Sequence, residues 1–450
     1  MTTQKSDSSR RGFLKTSATA TAGASLLAGL SPVRAAHTSS DETIRIGLVG
    51  CGGRGRGAAE QAMNTEGPTK LVAMADAFED NLQSALQGLT KQHGAKVDVP
   101  KERQFVGFDA YQKVMEQELD LIILATPPGF RPLHFEAAVN AGKHIFMEKP
   151  VAVDAIGVRK VIDMNELAKT KNLAVQVGLQ RHHEPIYIET IKRLQDGEIG
   201  RIVATRAYWN GDGVWVRPRK DGQTEMEYQM RNWYYFNWLC GDHITEQHIH
   251  NLDVINWLMG GPPAEAQGQG GRQVRTGKEY GEIYDHHFVE FTYENDGESS
   301  VLLSQCRHIP NCWSEVNEFA HGSEGSCDIG NGRIFDTKGQ VKWEYPRVDA
   351  DKKRRNLHDG HQQEHHDLFA ALRRGDIPNE AEYGAYSTMT SVLGRMATYS
   401  GQRIKWKDAL ASNISVSPVE KFHSFSDTPP VVPNADMTYP IPTPGVTKVL

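Results

Sequence analysis

Between residues 43 and 180 the chain alternates short apolar runs with stretches in which apolar residues recur every three or four positions. Ile44, Ile46 and Leu48 alternate ahead of a glycine cluster, and residues 71–76, 119–126, 143–147 and 173–178 form further apolar runs. Helical spacing lies between them at 58–63, 111–117, 133–140 and 154–168. Strands this apolar, separated by helices, predict a parallel sheet covered on both faces. After residue 201 the period changes to two, at 202–209, 286–293 and 299–306. A turn at 294–298 predicts a hairpin between the last two runs. The second half therefore reads as a largely antiparallel sheet whose open face receives a substrate. Residues 424–446, rich in Pro, Thr and Val without a helical period, read as an extended arm, laid on a neighbouring subunit or disordered.

Composition narrows the class of partner. The chain has 450 residues, 39% of them hydrophobic and 24% charged, with a net charge of -6. It has a sizeable core and no basic field for nucleic acid or an anionic membrane, which leaves a small molecule as the expected partner. Five cysteines, odd in number and without a C-x-x-C pair, give neither a disulfide framework nor a zinc ribbon and are assigned to packing. Ser9, Arg10, Arg11, Gly12, Phe13, Leu14 and Lys15 precede a weakly apolar run and a small-residue stretch ending at Ala36. This resembles a twin-arginine export signal spanning residues 1–36 and predicts a periplasmic protein handled by the twin-arginine machinery. No segment has the ~20 uninterrupted apolar residues of a membrane span.

The glycine cluster carries the first chemistry. Gly50, Gly52 and Gly55 have the G-x-G-x-x-G spacing between a strand and a helix, with Gly53 and Arg54 inside the loop. Such glycines make the tight turn, admit a pyrophosphate and let the helix pack on the strand, while the helix N-terminus favours the anion. Asp76 ends the next strand about 20 residues on, where a ribose-binding carboxylate is expected. It favours NAD, because a carboxylate repels a 2'-phosphate; Arg54 and Arg56 keep NADP as the alternative. Ligands of such sheets bind beyond the strands' carboxyl ends, where Thr126, Pro127, Glu148 and Lys149 fall.

From the glycine loop through A-T-P-P ending at Pro128, E-K-P at 148–150, G-L-Q-R ending at Arg181, and a histidine-rich helix, the chain resembles the Gfo/Idh/MocA oxidoreductases. The resemblance runs from about residue 43 to 402 and implies an α/β fold. An N-terminal Rossmann domain, 43–180, precedes a C-terminal α+β domain, 181–410, with a large, mostly antiparallel open sheet; 411–450 is a tail. By position, Gly50, Gly52, Gly53, Arg54, Gly55, Asp76, Thr126, Pro127, His134, Glu148, Lys149 and Arg181 would bind the cofactor. For Arg181 two roles stand open, pairing with a phosphate or capping the strand. Lys149 inherits a place beside the nicotinamide and the substrate hydroxyl, where a cation stabilises the forming alkoxide.

Residues 241–257 set His243, Glu246, His250 and Asp253 at one-turn spacing, hence on one face if the segment is a single helix. The resemblance makes His250 the general base, with an ordinary pKa near 6.5 suited to proton transfer. Glu246 stands where many relatives have Asp, which puts its orienting role in doubt. No metal is assigned: His243, Glu246, His248 and His250 offer ligand atoms, but helical geometry turns His248 about 160° from His250. An H-x-x-E-H tract at 361–366 resembles an inverted zinc-protease motif, yet equally fits a helix packed on the second domain. Residues 209–239, rich in Trp, Tyr and Arg, suit a sugar's apolar face and polar rim, or anchor a loop or subunit contact. The function implied is an NAD(P)-dependent oxidoreductase moving hydride between a secondary hydroxyl of a sugar or cyclitol and a tightly held nicotinamide. The alternatives are a glycoside hydrolase working through transient oxidation and elimination, and a non-catalytic sugar sensor. A homo-oligomer, dimer or tetramer, is a further implication of the resemblance.

Overall fold

The computed structural model describes residues 42–295, 297–346 and 359–450. The expected export signal lies outside them. Six parallel strands form the first sheet: β1 (Ile44–Val49), β2 (Thr69–Asp76), β3 (Gln104–Val106), β4 (Leu121–Leu124), β5 (His144–Met147) and β6 (Val175–Val177). Their order is β3-β2-β1-β4-β5-β6, so the direction of winding reverses between β1 and β4. Every residue of β4, β5 and β6 is buried, as unbroken apolar runs between two helical layers require. The crevice at the reversal, outside the carboxyl ends, is the ligand-binding position of such sheets.

Nine strands form the second sheet, in the order β14-β13-β12-β11-β7-β10-β9-β8-β15. Here β7 is Ile202–Gly211, β8 Glu265–Gly271, β9 His286–Asn295, β10 Glu298–His308 and β11 Glu315–Gly322. β12 is Gly325–Asp328, β13 Arg333–Asp336, β14 Val341–Glu344 and β15 Ile404–Lys405. The expected hairpin joins β9 to β10 with Gly297 at φ 84°, and β7 with β10 is the parallel pair in an otherwise antiparallel sheet. Helix Ala381–Ser400 packs over β8 and β9. Among the described residues no helix is long and apolar enough to cross a membrane, and all five cysteines are free thiols, four of them buried.

Two expectations change. Helix Gly360–Arg374, which carries the H-x-x-E-H tract, packs on the first domain: Leu368, Phe369 and Leu372 share a cluster with Ala58, Ala59 and Ala62 of helix Gly53–Met63. The tail after residue 411 lies on its own chain, where Val419, Phe422, Phe425, Val431 and Tyr439 join Phe78, Phe130 and Trp238 in a third cluster. Phe425 stacks on Phe78 with centroids 5.0 Å apart. The tail lacks a helical period, but spaced apolar side chains give an extended strap enough surface to bury.

Candidate active site

A cavity of about 510 Å³ opens at the carboxyl edge of the parallel sheet. On the first domain's side it is lined by Gly50, Gly52, Gly53, Arg54, Asp76, Thr126, Pro127, His134, Glu148 and Lys149. Opposite stand Trp209, Met230, Trp233, Glu246, Gln247 and His250, and His361 joins the lining from helix Gly360–Arg374.

The loop after β1 is shaped for a close-lying ligand. Gly50 has φ 94°, and a Cβ there would lie 2.6 Å from the Ala125 carbonyl carbon. A Cβ on Gly55 would stand 1.8 Å from the Gly50 carbonyl oxygen, so only glycine lets the helix start against the turn. At Gly52 and Gly53 a Cβ would meet nothing within 4 Å, which leaves the loop's outer face open above the N-terminus of helix Gly53–Met63. A dinucleotide pyrophosphate fits that cradle. Asp76 closes its far side, its carboxylate accepting from the Cys51 amide at 2.6 Å and the Phe78 amide at 2.8 Å. Burial raises its pKa. Arg54 turns toward Glu148 and Glu364, whose carboxylates take up its charge.

Thr126 Oγ1 and His134 Nδ1 are 3.1 Å apart beneath the loop after β4. Burial, reinforced by Arg131, lowers the His134 pKa to about 3, so the ring is neutral. Arg131 donates 2.6 Å hydrogen bonds to the carbonyls of Leu124 and Thr126 and fixes that loop from inside. No motif marked it.

Lys149 reaches across to the second domain. Its Nζ donates to the Glu246 carbonyl oxygen at 2.6 Å and pairs with Glu246 Oε1 at 3.3 Å, each side chain being 13% exposed. The histidine-rich segment is not one helix. Helix His243–Glu246 ends at once, and a second runs over Ile249–Met259. The amides of Gln247 and His248 both donate to the His243 carbonyl, a surplus residue in the turn that rotates the second helix's side chains by about 100°. The predicted common face is therefore broken. Glu246 and His250 reach the cavity, His243 is buried beside Asp242, and Asp253 binds His182 Nε2 at 2.8 Å and Ser387 Oγ at 2.7 Å.

His250 stacks on Trp209 with centroids 5.8 Å apart, and its Nδ1 is buried without a hydrogen-bond partner. Burial, with Lys149 adding to it, drives its pKa well below the ordinary value, so the ring is a neutral acceptor rather than one poised near 6.5. His248 faces away, its Nε2 2.7 Å from Ser304 Oγ.

Arg181 is not brought to the cavity. Its guanidinium is buried against Glu318 of β11, a carboxylate that also accepts from Asn251 and Tyr187. The cofactor role expected of it gives way to a link between domains, because a buried cation with a committed carboxylate has no charge left for a phosphate. Sequence reasoning missed Gln247 and Met230, and it gave His361 a place only in the H-x-x-E-H tract. Trp209 and Trp233 lay within the aromatic tract without being singled out as contacts.

Two family profiles match the chain. One, described as an oxidoreductase family with an NAD-binding Rossmann fold, covers residues 44–179; the other, the GFO/IDH/MocA C-terminal domain, covers 187–328. Among curated proteins, an inositol 2-dehydrogenase of Rhizobium meliloti is 25% identical over 291 residues, 65% of this chain and 77% of that one. An inositol 2-dehydrogenase/D-chiro-inositol 3-dehydrogenase of Halalkalibacterium halodurans is 28% identical over 218 residues, spanning 48% of this chain and about half, 53%, of that one. Two solved structures share the fold. A levoglucosan dehydrogenase in complex with NADH and levoglucosan has a TM-score of 0.60 at 16% identity, over 81% of this chain and 99% of that one. A Lactobacillus casei myo-inositol dehydrogenase in complex with NAD(H) and myo-inositol has a TM-score of 0.59 at 18% identity, over 81% and 97%.

Proposed function

Because the chain belongs to the GFO/IDH/MocA oxidoreductase family, we propose that it oxidises or reduces a secondary hydroxyl carbon of a cyclitol or sugar with NAD. The observation that carries this reading is the placing of Lys149, Glu246 and His250 on the walls of the cavity that also holds the glycine loop and Asp76. A bound nicotinamide supplies the acceptor and donor of hydride. Everything else falls to the chain. The Lys149 ammonium, steadied by two oxygens of Glu246, orients the reacting oxygen and offsets its negative charge as the proton leaves. The neutral His250 ring accepts that proton in oxidation and returns it in reduction. Trp209 and Trp233 offer flat apolar surface to a ring with polar edges.

The test is to incubate purified protein with inositols, free sugars and aryl glycosides, recording nicotinamide absorbance and aglycone release together. Absorbance growth with an inositol or free sugar is expected. Aglycone release without net reduced cofactor would replace dehydrogenation with hydrolysis through transient oxidation. Failure to bind any nicotinamide nucleotide would leave only a sugar-binding role.

Export by the twin-arginine route belongs to the same proposal and is supported by Arg10, Arg11 and the weakly apolar run after them. So does assembly as a dimer or tetramer. An exported enzyme would carry its nicotinamide folded inside it, which favours a tightly held cofactor.

A further inference from the structure

Below the floor of the cavity, inside the second domain, lies a group of side chains with no part in the proposed reaction. Asp242 and His243 open the helix His243–Glu246, and His287 comes from β9; all three are fully buried. Their ligand atoms lie within 4.8 Å of one another. Buried charges and imidazoles need partners, and the partners here are incomplete. Asp242 Oδ2 is satisfied, accepting from the Tyr284 amide at 3.0 Å and the Tyr399 hydroxyl at 2.5 Å. Asp242 Oδ1 accepts from the His243 amide at 2.5 Å and keeps a second lone pair. That oxygen is 2.8 Å from His243 Nδ1 and 3.3 Å from His287 Nε2, yet neither ring nitrogen has a hydrogen-bond partner.

The geometry points to a binding site for a divalent transition ion, zinc by preference, held by Asp242 Oδ1, His243 Nδ1 and His287 Nε2. Atoms that ligate one tetrahedral ion at ~2.0–2.1 Å sit ~3.3 Å apart and aim at a shared centre rather than at each other. The 3.3 Å between Asp242 Oδ1 and His287 Nε2 matches that separation, and the 2.8 Å to His243 Nδ1 would open by about half an ångström on binding. Two imidazoles with one carboxylate suit zinc or cobalt, whereas calcium and magnesium take oxygen ligands. The surroundings act as outer supports of the kind that ligating residues use. Thr398 Oγ1 lies 2.9 Å from His287 Nδ1 and fixes that ring, while Tyr399 and the Tyr284 amide fix the carboxylate.

Full burial rules out a substrate at the ion and gives it a structural role. It ties β9 to the short helix whose last residue, Glu246, holds Lys149. A second path runs through His308, which stacks on His243 at 4.3 Å and stands 3.0 Å from Gln247 Oε1 in the cavity wall. The ion would thereby stiffen the segment that carries Glu246 and Gln247 without touching the reacting atoms.

The experiment uses the full, untagged protein grown with added zinc or cobalt and purified without chelator. Elemental analysis is expected to find about one equivalent per chain that survives dialysis, as structural sites do. X-ray absorption at the metal edge is expected to show scattering from two imidazoles. His287→Ala is expected to lower the metal content to under about a tenth of an equivalent. Should that variant fail to fold, the absorption spectrum of the unaltered protein decides alone. Less than about a tenth of an equivalent in the unaltered protein with both ions, a spectrum without imidazole scattering, or full metal content in His287→Ala would each overturn the site. None of these readouts depends on turnover, so failure here leaves the oxidoreductase proposal where it stands.

Discussion

Lys149 is held by one residue in two ways, and the shorter of the two contacts is to main chain. Its Nζ lies 2.6 Å from the Glu246 carbonyl and 3.3 Å from the carboxylate. Glu246→Gln therefore keeps the carbonyl that places the ammonium and loses only the charge, whereas Lys149→Met removes the cation itself. Loss of a positioned proton-transfer or charge-stabilising group costs ~10²–10⁴ in rate, so Lys149→Met and His250→Ala are expected to fall that far in kcat. Glu246→Gln is expected to lose about tenfold. Nucleotide affinity, read by fluorescence titration, should stay within about threefold in all three, since none of them belongs to the glycine loop or to Asp76, which form the cradle. The same titration guards against misfolding: loss of nucleotide binding in Lys149→Met or His250→Ala would remove the ground for giving either residue a catalytic role. Because burial keeps the His250 ring neutral, the acid limb of kcat/KM should lie below the pH near 6.5 that an exposed histidine would give.

Among the elements, the turn after β6 shows how an apparent cofactor contact becomes a joint. Arg181 and Glu318 bind each other across the boundary between the parallel sheet and β11, and Asn251 and Tyr187 complete the carboxylate's shell. Arg181→Met strands a buried carboxylate, an event that costs ~3–5 kcal/mol, and urea unfolding is expected to read a loss of that size. The pair of changes Arg181→Met with Glu318→Leu should recover most of it, with nucleotide affinity unchanged; a phosphate ligand would instead lose affinity without losing stability. The parallel strands were legible because unbroken apolar runs have few other uses, and the glycine loop because its spacing is tied to steric demands that Gly50 and Gly55 display. The break at Gln247 was not legible. One surplus residue in a turn leaves the one-turn spacing of acids and histidines intact in the sequence while it rotates their side chains apart. Nor does an amphipathic helix name the surface it covers. Leu368, Phe369 and Leu372 would suit either domain, and only the alanines of helix Gly53–Met63 gave them a flat partner. Lys149 and His250 were legible through resemblance, not through spacing.

On the scale of the whole molecule, the buried ionisable groups set how stability varies with pH, and two sets of them oppose each other. Burial lowers the pKa of His134 and His248 to about 3, and holds those of His250 and His365 well below the ordinary value. Such a ring is neutral in the folded chain and takes a proton on unfolding below about pH 6.5, so its contribution is present above that pH and declines as pH falls. Burial works the other way on carboxyls. It lifts Glu282 to about 7, so the folded chain holds a proton there that the unfolded chain releases above about pH 4.5, and it pushes Glu318 and Glu364 in the same direction. His183, raised to about 10 by Asp367 and Glu380 against the effect of burial, gives stability that is complete below pH 6.5 and adds no slope there. Between pH 6.5 and 4.5 the buried histidines are thus set against the raised carboxyls, so the two sets partly cancel and stability falls gently as pH drops. Below 4.5 the carboxyls are protonated in both states and their opposition ends. The slope then steepens, because the neutral buried rings lose their counterweight. Urea unfolding at half-unit intervals should show a knee near pH 4.5, with His134→Gln less steep below it by about one proton. A straight decline from 6.5 to 3 would mean that the raised carboxyls do not oppose the buried histidines in that window.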